Sequence, residues 1–265
     1  MSTTLLLLAS AGLFAGFLAG LFGIGGGIIL VPALGFILFS SVPPEHLMRV
    51  CLATSLATIV FSSTFAAWQQ HRAGNCDWSK VRQLSVGVAI GATLGGLIAA
   101  NMPELVLRTL FATFATYVGV QMWFAFQPKI PVTFNSRSAL VAGSITGAMS
   151  SWVGIGGGNI LVPYLLSTGV GIKKAAGITS PVGVVVALFA TLGYAISASN
   201  NPPQVPGAIG FVVGSAFLTI VSTSFLGIFL GLRLSNVLPG HQIKRAFAVL
   251  LLLTGIRYWI GIFTA

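Results

Sequence analysis

The chain has 265 residues, of which 55% are hydrophobic and only 6% charged, where a soluble domain carries about 25% charged residues. Its 13 Lys and Arg stand against 3 acids, Glu45, Asp77 and Glu104, for a net charge of +10. Apolar runs of about 20 residues exclude a soluble fold, the lack of period-two alternation excludes a β-barrel, and cations spread over many loops exclude a nucleic-acid-binding face. The fold class expected is an all-α polytopic membrane protein, multi-pass in a bacterial inner membrane with the lipid bilayer as its solvent. No basic n-region precedes the first apolar segment, which is expected to belong to the mature fold.

The first segment, residues 5–39, is apolar but interrupted by Gly23-Ile24-Gly25-Gly26-Gly27. Glycine lacks a Cβ and so tolerates backbone turns that break a helix. Residues 5–22 are long enough to cross a bilayer; residues 28–39 would extend about 18 Å, too short for a core of about 30 Å. Three ordinary spans follow, at 47–68, 84–101 and 105–126. The first of them opens with Arg49 and carries Cys51, Thr54 and Ser55. Cys51 in that run and Cys76 in the next loop suggest neither a disulfide framework nor a metal site, and no cofactor is expected.

The second half repeats this order. Residues 139–168 contain Gly154-Ile155-Gly156-Gly157-Gly158-Asn159-Ile160-Leu161-Val162-Pro163-Tyr164-Leu165, which matches residues 23–34 at ten of twelve positions; Ile28 is replaced by Asn159 and Ala33 by Tyr164. Spans at 175–198, 207–232 and 246–263 complete the half. Further anchors recur in register: Thr54-Ser55 with Thr179-Ser180, Arg49 with Lys174, Met102-Pro103 with Leu238-Pro239, and Arg108, Phe111, Gly119 and Trp123 with Lys244, Phe247, Gly255 and Trp259. The chain is therefore read as two homologous repeats, 1–131 and 132–265, each a glycine-broken helical segment plus three transmembrane helices.

Loop charge decides how the repeats are oriented. If each broken segment counts as one crossing, the repeats are parallel and the cations divide almost evenly between the two sides. If each folds back as a hairpin, the repeats are inverted. One side then holds Arg72, Lys80, Arg82, Lys129, Arg137, Lys173, Lys174, Arg233, Lys244 and Arg245, and the other at most Arg49, Arg108 and Arg257. Cytoplasmic loops collect Lys and Arg, so inverted repeats are expected, with both termini outside and the linker 127–138 in the cytoplasm.

Broken helices at the midplane of a duplicated membrane protein point to a transport site. A helix restarting after the break presents free N–H groups and a positive dipole end to an anion. The expected binding residues are Gly25, Gly26 and Gly27 with Thr54 and Ser55, and Gly156, Gly157, Gly158 and Asn159 with Thr179 and Ser180. Arg49 and Lys174, at matching helix starts, are expected at the two entrances of the pathway. Simpler roles stand beside these. Membrane Thr and Ser also bond to their own helix carbonyls, Arg49 and Lys174 also suit snorkelling at the interface, and Gly12, Gly16 and Gly20, like Gly143, Gly147 and Ser151, form small-residue packing stripes. None of the acids falls within the middle of a span, so an intramembrane carboxylate relay has no support.

The paired Gly-Ile-Gly-Gly-Gly-x-Ile-Leu-Val-Pro blocks, the Ala53-Thr54-Ser55 and Ile178-Thr179-Ser180 blocks after them, and Gly74-x-x-Asp77-Trp78 resemble the TauE/SafE family of sulfite-exporter-like permeases. The resemblance covers essentially the whole chain. It implies transport of small sulfur-containing anions such as sulfite, sulfoacetate or related organosulfonates. The expected function is a secondary transporter or facilitator for such an anion, an exporter and not an enzyme, with self-association into a homo-oligomer left open. The alternatives are an anion channel with the breaks as its filter, and a sulfur-relay membrane component using Cys51. The topology has a direct test. A reporter at residue 130 is expected to read cytoplasmic and one at the C-terminus periplasmic, whereas both on one side would eliminate the hairpin arrangement.

Overall fold

The computed structural model describes residues 2–22, 26–124, 133–200, 205, 207–235 and 240–264. Ten helices and one two-stranded hairpin account for their regular structure. The broken segment gives α1 (Ser2–Phe22) and α2 (Gly27–Leu38), followed by α3 (Leu47–Arg72), α4 (Trp78–Asn101) and α5 (Glu104–Phe124). The second series is α6 (Ser136–Val153), α7 (Gly158–Ser167), α8 (Ile172–Asn200), α9 (Gly214–Ser235) and α10 (Gly240–Phe263). Six of the longer helices, α1, α3, α4, α5, α8 and α9, are long and apolar enough to cross a bilayer. The protein is an all-α polytopic membrane protein, as expected.

Most apolar runs understate the helices that contain them, because polar caps extend the ends. Asp77 caps α4, accepting from the Lys80 amide at 3.2 Å. Hydrogen bonding to the Lys80 ammonium, more than anything else, holds its carboxyl below the usual carboxylate range. Asn135 and Ser138 form a reciprocal capping box at the start of α6. One expectation is corrected. Residues 207–213 do not begin a span but form strands β1 (Ala208–Ile209) and β2 (Val212–Val213), pairing Ala208 with Val213 and Ile209 with Val212. Gly207 and Gly210 take φ of 74° and 60°, values that end a helix, and α9 starts only at Gly214.

Glycine packing fixes the helix directions. Gly12, Gly16 and Gly20 of α1 lie against Ile220, Ser224 and Ile228 of α9, so the two helices run parallel. Gly87, Gly91 and Gly95 of α4 meet Leu140, Ser144 and Ala148 of α6 in the same parallel sense. In each case a Cβ would collide with the partner's backbone. Close approach of small residues is how membrane helices gain dispersion contact without help from water. Ring contacts Phe61–Phe217 and Phe65–Phe225 run α3 parallel to α9. Gly119 against Leu252 and Phe111 against Tyr258 run α5 antiparallel to α10.

Gly96 against Gly193 and Asn101 against Ser197 run α8 parallel to α4. Short turns reverse the chain between α3, α4 and α5, so helices α1, α3, α5 and α9 point one way and α4, α6, α8 and α10 the other. The sense of each helix in the first series is reversed in its counterpart in the second. The short helix α2 turns back: Gly27 touches Ile59 deep in α3, while Phe36 shares a cavity with Leu47 and Met48 at the start of α3. The broken segment thus enters and leaves on one side, as a hairpin.

The tight α4–α6 contact predicts a steep response to size. Gly91→Leu would push a side chain into the Ser144 carbonyl and is expected to abolish the monodisperse peak in size-exclusion chromatography. Gly261→Leu, where nothing lies within 4 Å, is expected to leave it unchanged.

Candidate functional site

The two breaks meet each other. At the second, α6 ends on Gly154 in the left-handed region (φ 73°), Ile155 and Gly156 bridge, and left-handed Gly157 (φ 76°) starts α7. At the first, Gly26 (φ 57°) starts α2 in the same way. Gly25 lies outside the described residues. A side chain on Gly27 would strike the Gly154 carbonyl, so glycine here lets one break touch the other. Neither Gly26 nor Gly157 offers a side-chain cap to the helix it starts. The Ile29 and Ile160 amides bond back to the Gly26 and Gly157 carbonyls, which leaves the amides of Gly27, Ile28, Gly158 and Asn159 without a bond among the described residues.

Ser55 joins the breaks. Its Oγ lies 3.3 Å from the Gly27 carbonyl oxygen and 3.1 Å from that of Gly154, so a single hydroxyl proton serves one carbonyl from each broken segment. The residue is fully buried. Its neighbour Thr54 reaches the β-hairpin instead, donating to the Phe211 carbonyl at 3.5 Å and accepting from the Val213 amide at 3.2 Å. The matching pair behaves differently: Thr179 and Ser180 both donate to the Ala176 carbonyl of their own helix. The two hydroxyl pairs, alike in sequence, are unlike in structure.

The α7 end carries two of the three buried side-chain donors that have no partner among the described residues; the third is Arg49 Nε. The Ser150 hydroxyl is buried with no partner among the described residues and lies 3.4 Å from where a Cβ on Gly157 would stand. Asn159, the second residue of α7, has a buried amide nitrogen that also lacks a partner. Its counterpart Ile28 is an ordinary core residue. Gly158 is buried at the first position of α7 and Gly156 packs against Ile59 of α3. Around Gly26, by contrast, Thr58, Ser62 and Ser224 bond to their own helices and enclose a void of about 10 Å³. One water needs about 10–15 Å³, so this void beside Gly26 holds at most one.

The two expected entrances lie apart from the breaks. Arg49 donates to the Met102 carbonyl at 2.8 Å and approaches His46 Nδ1 at 3.1 Å, clasping the α4–α5 turn. Lys174 is exposed beside Lys173, Lys80 and Asp77 in an open cleft at the opposite end. Ser150 escapes sequence reasoning because no motif marks it; the available signal is its place one turn before the second break.

With this geometry in place, the chain can be set beside known proteins. The family model described as sulfite exporter TauE/SafE matches residues 8–258. A probable membrane transporter protein of Haemophilus influenzae is 34% identical over 98% of this chain and its own full length. Another, from Methanocaldococcus jannaschii, is 27% identical over 68% of this chain and 67% of its own, and one from Xylella fastidiosa 26% identical over 96% and 94%. No solved structure matches.

Ser55→Ala removes the proton that both break carbonyls use. It is expected to lower unfolding stability by about 1–3 kcal/mol, the cost of leaving a buried acceptor unsatisfied. Ser180→Ala, which removes only a bond within its own helix, is expected to change stability little. Unfolding in mixed micelles measures both.

Proposed function

The chain belongs to the sulfite exporter TauE/SafE family and is a membrane transporter, and we propose that its cargo is a small sulfur-containing anion, such as sulfite, sulfoacetate or a related organosulfonate, carried outward. The observation that supports this most is the partnerless Ser150 hydroxyl and Asn159 amide nitrogen at the start of α7. Both are hydrogen-bond donors, and the helix end adds N–H groups and the positive end of its dipole. Donors without a full charge hold an oxyanion and still release it, since no buried ion pair has to be broken.

The proposed binding set is Gly156, Gly157, Gly158, Asn159 and Ser150 from the second break, with Gly26, Gly27 and Ser55 of the first as the facing wall. Thr54 supports that wall through the β-hairpin. We divide the chain into repeats at 1–131 and 132–265. Opposed helix directions suit alternating access, in which one repeat rocks against the other about the contact at Ser55.

Counterflow in proteoliposomes tests the reading with sulfite, sulfoacetate and sulfate. Hydrogen bonds to charged groups contribute about 1.5–3 kcal/mol, so Asn159→Ala and Ser150→Ala are each expected to lower kcat/KM for the transported anion about 10- to 100-fold. Undiminished flux in both variants would remove the site from α7.

A further inference from the structure

Three arginines, Arg49, Arg108 and Arg257, stand on the cation-poor side of the loop-charge count, and the fold gathers them at one end. Arg49 engages His46 and the α4–α5 turn through its two Nη groups, while its Nε has no partner among the described residues. Arg108 and Arg257 line a cavity of about 150 Å³ between α2, α3, α5 and α10, together with Glu104, Tyr258 and Met48. One water needs about 10–15 Å³, so the cavity has room for a small polyatomic ion.

Glu104 does not neutralise it. Its Oε1 accepts from the Met48 amide at 2.9 Å and from Arg108 Nε at 3.1 Å, while its Oε2 is buried with no partner among the described residues. Arg108 is tied to Glu104 through Nε, which leaves its Nη donors for another acceptor. The Arg257 guanidinium lies 5.1 Å from the centre of the Phe36 ring and has no carboxylate partner among the described residues. Two guanidiniums thus face one carboxylate. Arginine within a membrane span is expensive unless it reaches the interface or serves a ligand, and the ion pair with Glu104 uses only Arg108.

We propose that this cavity is a second anion site, a vestibule at the mouth of α2, α3, α5 and α10 in which Arg108 and Arg257 hold a small oxyanion. Glu104 limits its affinity, so that the ion passes on and is not trapped. The proposal rests on the reading of the cargo as an anion, and it concerns residues distant in sequence from both glycine breaks.

Titration calorimetry of the purified full chain in maltoside micelles, with sodium sulfite, sulfate and chloride, tests it. Arg108→Gln and Arg257→Gln are each expected to weaken sulfite binding about tenfold. Glu104→Gln keeps the acceptor for the Met48 amide but removes the negative charge, and is expected to tighten binding several-fold. Arg257 is exposed, so folding does not depend on it and its variant decides the test. Unchanged affinity in Arg257→Gln and Arg108→Gln overturns the vestibule. If Asn159→Ala and Ser150→Ala lose flux in that case, the site at α7 stands without it. If those two are neutral while the arginine variants lose binding, the α7 site falls and the vestibule stands. The same guanidiniums also suit a lipid phosphate. Sulfite affinity is expected to be unchanged in nanodiscs containing phosphatidylglycerol, and its loss there would assign the cavity to lipid and overturn the proposal.

Discussion

A backbone group inside hydrocarbon has no water to turn to, so two broken helices there must satisfy each other. The Ser55 hydroxyl does this at the crossing, reaching the Gly27 carbonyl from one break and the Gly154 carbonyl from the other. The remaining architecture follows from bringing those carbonyls together. The crossing needs glycine at position 27, because any Cβ would enter the Gly154 carbonyl. It needs left-handed backbone at Gly26 and Gly157 to restart the helices. It also needs neighbours close enough to bury the crossing, which the glycine faces of α1 against α9 and α4 against α6 supply.

Those glycine faces also explain how a chain with so few charges assembles. Lipid tails are as apolar as leucine, so burial alone gives membrane helices no reason to associate. Interlocked backbones do, through many small dispersion contacts. The pairing is reciprocal: α1 of the first series lies on α9 of the second, and α6 of the second lies on α4 of the first. The series embrace each other, so a movement of one against the other must pass through these seams.

Much of this was legible in the residues. The doubled glycine motif marked both breaks, and the uneven loop charge pointed to hairpins and opposed helix directions. Three things were not legible. The β-hairpin at 208–213 sits in an apolar run, and only the φ angles of Gly207 and Gly210 separate it from a span. The polar ends of α4 and α6 are set by caps at Asp77 and Asn135, which hydropathy ignores. The arginine cavity depends on four helices brought together from residues 32 to 261, a juxtaposition that no local pattern encodes.

The least legible property is the inequality of the two breaks. Of two identical Thr-Ser pairs, one sends Ser55 across the crossing and Thr54 to the β-hairpin before α9, which has no counterpart before α4, while both hydroxyls of the other bond back to their own helix. A duplicated motif therefore preserves a backbone shape while its side chains diverge. The described part of the first break is lined by bonded hydroxyls and the buried Ile28, which suits a fixed wall. The second keeps two buried donors without partners among the described residues, a cost of about 1–3 kcal/mol each. Unpaired donors beside a helix start make sense where an anion completes them, and that is why Asn159, where the second motif departs from Ile28, carries more information than the ten positions that agree.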